Sequence, residues 1–161
     1  MPKIRIFKGD RRLELWEGGA CVASWPCRLG RSPLGGKERE GDGRTPEGRF
    51  YICTRNAASR FHCFLGLSYP TPGDAARGLA QGLVPAIEGM EAGEVIGEAD
   101  AREVRPPWDT VLGGQIGIHA APTGQAMPEG DWTEGCIAVE LEAMERLWQA
   151  CPLGAHVRIL P

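Results

Sequence analysis

The chain has 161 residues, 42% of them apolar and 24% charged, with 23 glycines, 13 prolines and a formal net charge of −3. That is the size of one domain, residues 1–161, able to bury on the order of 70% of its unfolded surface without metal or disulfide staples. The apolar runs are too short for a membrane span, and the mildly acidic balance offers no broad basic footprint for nucleic acid.

In Lys3 to Lys8, Ile4 and Ile6 alternate with Arg5; after a turn at Gly9-Asp10, Leu13 and Leu15 alternate with Glu14 and Trp16. This period of two predicts a hairpin. The same alternation of charge and hydrophobicity gives no expectation of an export leader at Met1 to Lys8. A third strand is expected over Ala20 to Leu29, interrupted by Pro26. Gly30 to Gly48 is too polar for core and too long for a turn, which marks a functional loop, and its run Lys37-Glu38-Arg39-Glu40 reads as a solvated face, with bracing near a site as the alternative. Strands return in Arg49 to Thr54 and Arg60 to Leu67.

Asp74 is placed to cap a short helix over Ala75 to Leu83, which Pro85 ends. Residues 86–108 are acidic and show no clear period, so an insertion or flexible loop is expected there, with a lid over the site as its role. Gln115 to His119 reads as a short strand. Leu141, Met144, Leu147, Trp148 and Cys151 recur at steps of three and four, predicting a helix that Pro152 and Gly154 close, and Ala155 to Leu160 is a last strand. The tally is a mostly β domain with a few short helices.

Six cysteines, at 21, 27, 53, 63, 136 and 151, form no CxxC pair. Most read as small hydrophobes of a reduced core, and neither a metal nor a cofactor is expected; a metal or redox site using Cys21, Cys27, Cys53 and Cys63 is the competing idea. Asp42 and Glu47 are a weaker candidate pair of carboxylates. His62 reads as structural, with lining a site as the alternative, and His156 as an exposed histidine.

Cys136 stands apart. It follows His119 by a Gly- and Pro-containing loop and lies in Asp131-Trp132-Thr133-Glu134-Gly135-Cys136-Ile137. A cysteine near its unperturbed pKa of about 8.5 is mostly protonated at neutral pH, so a nucleophilic role needs a base such as an imidazole close by. Gly135 allows close approach of a substrate carbonyl, with the amides of Gly135 and Cys136 as candidate oxyanion donors. On the residues alone, two buried structural side chains is the favoured reading of the pair and catalysis the lesser one.

The run Thr133-x-Gly135-Cys136-Ile137, preceded by Ile118-His119, resembles the catalytic signature of the YkuD-type L,D-transpeptidases. Gly41-Asp42-Gly43-Arg44-Thr45-Pro46-Glu47-Gly48 resembles a second hallmark of that family. Ser59-Arg60-Phe61-His62, Leu67-Ser68-Tyr69-Pro70 and Leu112-Gly113-Gly114-Gln115 are similar to the branch that includes a murein peptide amidase. The resemblance spans about residues 3 to 160 and implies an L,D-transpeptidase-type β-sandwich with short helices. It implies Cys136 as nucleophile, His119 as base and Gly135 beside them, without cofactor, acting on peptidoglycan stem peptides or muropeptides. Arg60, Thr133, Trp132, Tyr69 and Arg44 are the expected substrate-binding residues. Glu134 stands where the commoner family pattern has histidine. The family usually works outside the cytoplasm. Transfer, hydrolysis at diaminopimelate and non-catalytic wall binding are the readings that follow.

Overall fold

A computed structural model describes residues 1–161. The N-terminal alternation forms β1 (Lys3–Phe7), β2 (Arg12–Glu17) and β3 (Ala20–Pro26) as an antiparallel meander, with Ile4, Ile6, Leu13 and Leu15 turned inward. The β4 strand (Gly48–Ser59) is followed by β5 (His62–Leu67). Next come the helices α1 (Pro72–Ala80) and α2 (Ala86–Ala101), the short strands β6 (Gly117–His119) and β7 (Ile137–Ala138), helix α3 (Leu141–Ala150), and β8 (His156–Leu160).

The strands lie in the order β3-β2-β1-β8-β4-β5-β6-β7. Strand β4 is the seam: its first half pairs with β8 and its second half with β5, with register shifts after Ile52 and Asn56. The sheet therefore curls about β4 into a mostly β fold with three short helices, as the sequence predicts. Its interior holds one main cluster that includes Leu29, Ile52, Leu67, Ile118, Ile137, Met144 and Val157. The apolar stripe of α3 supplies Met144 and Leu147 to that cluster.

Three expectations are corrected. Residues 86–101 are a helix rather than a loop. Small residues hide its period: Gly89, Ile96 and Ala99 are its buried positions, and α2 packs on α1 where Ile96 clusters with Ala75 and Gly89 faces Leu79. Its end is tied down where the Tyr51 hydroxyl bridges the Ala99 and Val104 carbonyl oxygens, at 3.2 and 2.8 Å. Helix α1 begins earlier than expected: Thr71 is its N-cap and Asp74 the third residue of a reciprocal capping box.

Third, the charge run in the polar loop 30–48 is only partly solvated: Arg39 and Glu40 are exposed, but Lys37 is buried. Lys8, only 2% exposed, donates to the Gly35 and Thr45 carbonyls at 2.9 and 2.8 Å and to Glu47 at 3.1 Å. Lys37, 3% exposed, donates to Asp42 at 2.9 Å. Asp42 also accepts from the amides of Glu38, Arg39 and Arg44. Burial would raise the Asp42 pKa, but these donors together hold it below its ordinary 3.8. Asp42 and Glu47 are thus partners of two separate lysines, not a carboxylate pair. The segment is held by the Lys37–Asp42 pair within it and by Lys8 from outside, and its Arg44 carbonyl lies against Gly135.

Candidate active site

Strands β6 and β7 run parallel, with Ile118 opposite Ile137 and His119 opposite Ala138. Extending that register puts Cys136 level with Gly117, and side chains two apart share a face. Cys136 and His119 therefore open into one groove of about 950 Å³. The Cys136 thiol donates to the Gln115 carbonyl at 3.4 Å. Burial pushes the thiol up to about 11, against the opposing pull of the Gly117 amide and the Lys37 charge.

The His119 side chain is 2% exposed. Its Nδ1 lies 2.6 Å from the Ala120 carbonyl oxygen. A carbonyl only accepts, so Nδ1 carries the proton and Nε2 is the basic nitrogen. Burial lowers the His119 pKa below its ordinary 6.5, outweighing the Ala120 bond, and the nearby Arg60 charge works in the same direction. At neutral pH the pair rests as a neutral thiol and a neutral imidazole. Such a pair suits proton transfer at the moment of attack rather than a standing thiolate.

Aromatic rings hold the imidazole. Phe61 stacks on it at 4.2 Å between centroids, Phe64 lies 6.3 Å away, and Trp132 meets it edge-on at 5.8 Å. Gly117 makes room for this arrangement: a β-carbon there would fall 2.4 Å from the Phe64 ring. The Trp132 indole is anchored by donating to Met127 Sδ at 3.3 Å.

The turn carrying Cys136 is braced by Thr133. Its hydroxyl donates to the Cys136 carbonyl at 2.7 Å and accepts from the Gly135 amide at 3.1 Å. Its backbone is pinned in turn by Leu29 and Arg31. Gly135 has φ 141°, and a β-carbon there would lie 2.7 Å from the Arg44 carbonyl oxygen, so only glycine fits. The Gly135 amide donates to the Thr133 hydroxyl. The Cys136 amide has no acceptor within the protein and is the one left free.

Of the residues expected to bind substrate, Arg60, Trp132 and Thr133 line the groove. Arg60 is exposed at its mouth, over the Phe61 ring at 4.7 Å. Thr133 lines it but is 4% exposed, with its hydroxyl spent on the turn. Tyr69 does not reach the groove. It is fully buried in the core and donates to the Leu112 carbonyl at 2.7 Å. Arg44 is also absent from the lining: its guanidinium lies against Gly35, and its contribution is the carbonyl that crowds Gly135. His62 sits half-buried at the β4–β5 turn, outside the groove. Of residues 86–108 only Trp108 lines the groove, and α2 stands apart from it. The six cysteines are unpaired, and Cys21, Cys27, Cys53 and Cys63 do not gather into one cluster.

Sequence reasoning missed Phe61, Phe64 and Trp108 as groove residues, and Lys37 lines the groove as the alternative reading of its charge run allowed. Phe64 pairs with His119 across β5 and β6, but that register is invisible until the strands are placed.

The L,D-transpeptidase catalytic-domain (YkuD) family profile matches residues 2–159. The chain belongs to that family. The fold is shared with the helical cell shape determining protein Pgp2 from Campylobacter jejuni: TM-score 0.68 at 20% identity, covering 98% of this chain and 46% of that one. Bd1075 from Bdellovibrio bacteriovorus superposes with TM-score 0.60 at 18% identity, covering 99% and 47% of the two chains. An L,D-transpeptidase from Xylanimonas cellulosilytica gives 0.51 at 19% identity, covering 98% and 59%. This chain thus spans about half the length of these structures. No curated protein matches the sequence. No helix is long and apolar enough to cross a membrane.

Proposed function

We propose that the protein is a cysteine acyl-transferase acting on peptidoglycan stem peptides, with Cys136 as nucleophile and His119 as its base. The observation that carries this reading is the shared groove. It holds a thiol and a buried imidazole on neighbouring parallel strands, the imidazole turned by Ala120 so that Nε2 is free. Family membership supplies the substrate class, since the family acts on peptidoglycan stem peptides.

In the proposed reaction, Cys136 sulfur adds to the carbonyl carbon at the L-centre of an L,D-peptide bond while its proton passes to His119 Nε2. The oxyanion faces the free Cys136 amide. Collapse breaks the C–N bond, His119 returns the proton to the departing amine, and a thioester remains. An incoming amine then gives transfer, and water gives carboxypeptidase or amidase action. Arg60 at the groove mouth is suited to a stem-peptide carboxylate, and Trp132 walls the same side.

The test is incubation of the protein and its Cys136→Ala variant with tetrapeptide and pentapeptide muropeptides, with mass spectrometry of protein and products. Cys136-dependent loss of D-alanine indicates hydrolysis, and exchange for an added D-amino acid indicates transfer. A folded protein giving neither turnover nor adduct would return the reading to a non-catalytic wall-binding module.

A further inference from the structure

The outer face of β1, β8 and β4 is basic and takes no part in the Cys136 groove. In register, Arg5 stands beside Arg158 and Arg158 beside Arg49; one rung along, Lys3 stands beside His156. Adjacent strands are about 4.8 Å apart, so three guanidinium stems are rooted along a line of about 10 Å. Like charges opposite one another destabilise a sheet, and a chain with 21 acidic residues has carboxylates to interleave.

Two carboxylates, Glu47 and Asp100, also line the concavity, but no carboxylate pairs with these arginines. Glu14 stands opposite Arg5, yet it accepts from Arg12 Nε at 3.0 Å and Trp16 Nε1 at 2.8 Å. Glu47 faces Lys8. None of Lys3, Arg5, Arg49, His156 and Arg158 is ion-paired within the protein. They line a concavity of about 570 Å³, edged by Thr71 and Pro72 of α1 and by Asp100 of α2, which shares no residue with the Cys136 groove.

We infer that this concavity is a binding site for an extended, base-free phosphate polymer. A phosphate has enough acceptor oxygens to bridge neighbouring guanidinium forks, whereas a carboxylate has two. The row is longer than one phosphate, which calls for a chain of them. A flat bilayer does not fit a recess. Nucleobases have no platform there, because Phe50 and Tyr51 are buried and the Trp16 ring is covered by Arg5 at 4.0 Å.

The test is titration of the full chain with a short linear polyphosphate, followed by fluorescence anisotropy across a salt series. Three neutralised charges predict a log–log salt slope of about −2. The Arg49→Ser/Arg158→Ser variant should bind about tenfold more weakly or worse. A control that removes the same charge elsewhere, Arg39→Ser/Arg146→Ser, should bind as the parent does. Should the serine variant fail to fold, Arg49→Lys/Arg158→Lys keeps the charge, loses the fork and should still weaken binding. Absence of binding at low salt, or equal loss in the control pair, overturns the inference. So does equal affinity for polyglutamate of matched charge, tighter binding of a single-stranded oligonucleotide, or binding to anionic vesicles alone.

Discussion

The Thr133 hydroxyl donates to the carbonyl of Cys136 at 2.7 Å while accepting from the Gly135 amide at 3.1 Å. One buried side chain thus closes the turn that presents the thiol, and its contribution is positional. Replacing Thr133 by valine keeps the shape and strands both backbone partners, which should lower stability by about 1–3 kcal/mol. On the proposed acyl-enzyme chemistry a carbapenem should acylate Cys136, and that labelling, read by intact-protein mass spectrometry, should slow in Thr133→Val and recover in Thr133→Ser. Equal labelling rates in the parent and the valine variant would show that the clamp does not position the thiol.

Gly135→Ala should be more damaging. The left-handed φ of 141° and the 2.7 Å approach to the Arg44 carbonyl both oppose a β-carbon, and the expected loss is about 2 kcal/mol or more. Thermal unfolding reads it directly, and an unshifted midpoint would contradict the crowding.

The acid–base state of the pair fixes a pH profile. His119 titrates below its ordinary 6.5, so the parent's labelling rate should hold level from about pH 6.5 upward and fall only on the acid side. Without the imidazole, only thiolate formed near pH 11 remains to react. His119→Ala should therefore label slowly at neutrality and recover as pH climbs toward about 11. A variant rate independent of pH would remove His119 as the base.

Stability should fall on the alkaline side. Burial pushes Cys27 and Cys53 up to about 12, and Cys136 and Cys151 up to about 11, from an ordinary 9.0. Between those limits the folded state holds protons that the unfolded state releases, so rising pH favours unfolding. The Tm should be insensitive to these thiols below pH 9 and decline above it. Cys27→Ala/Cys53→Ala should decline less steeply.

Lys37→Met should break the wall beside the groove. It leaves Asp42 largely buried without its cation, at a cost of about 3 kcal/mol. Asp42 titrates below 3.8, so its contribution is present above that value and lost as pH falls through the folded pKa; the variant should show less of this acid sensitivity. Urea titrations at pH 3 to 7 measure both effects.

Strands β1, β2 and β8 and helix α3 were legible because each buries one face, and a half-buried element writes its period into the chain. Helix α2 was not, because glycine and alanine form much of its contact face and carry little hydrophobic signal. Tyr69 read as a groove wall from its place in a family-like stretch; the structure buries it under Leu112. Lys37 read as solvated because a charge run usually is, and only a folded partner, Asp42, makes its burial tolerable.

By itself the sequence determined the mostly β architecture, the family and the candidacy of His119 and Cys136, since periodicity and short motifs are local properties of a chain. The tertiary structure decided the rest. The parallel register of β6 and β7 put the thiol and imidazole on one face, and β5 and the turn before it brought Phe64 and Phe61 against His119. The unpaired arginine row exists only when β1, β8 and β4 lie side by side. Each of these is a contact between distant segments, and its energy depends on pairing and burial that no single stretch of residues encodes.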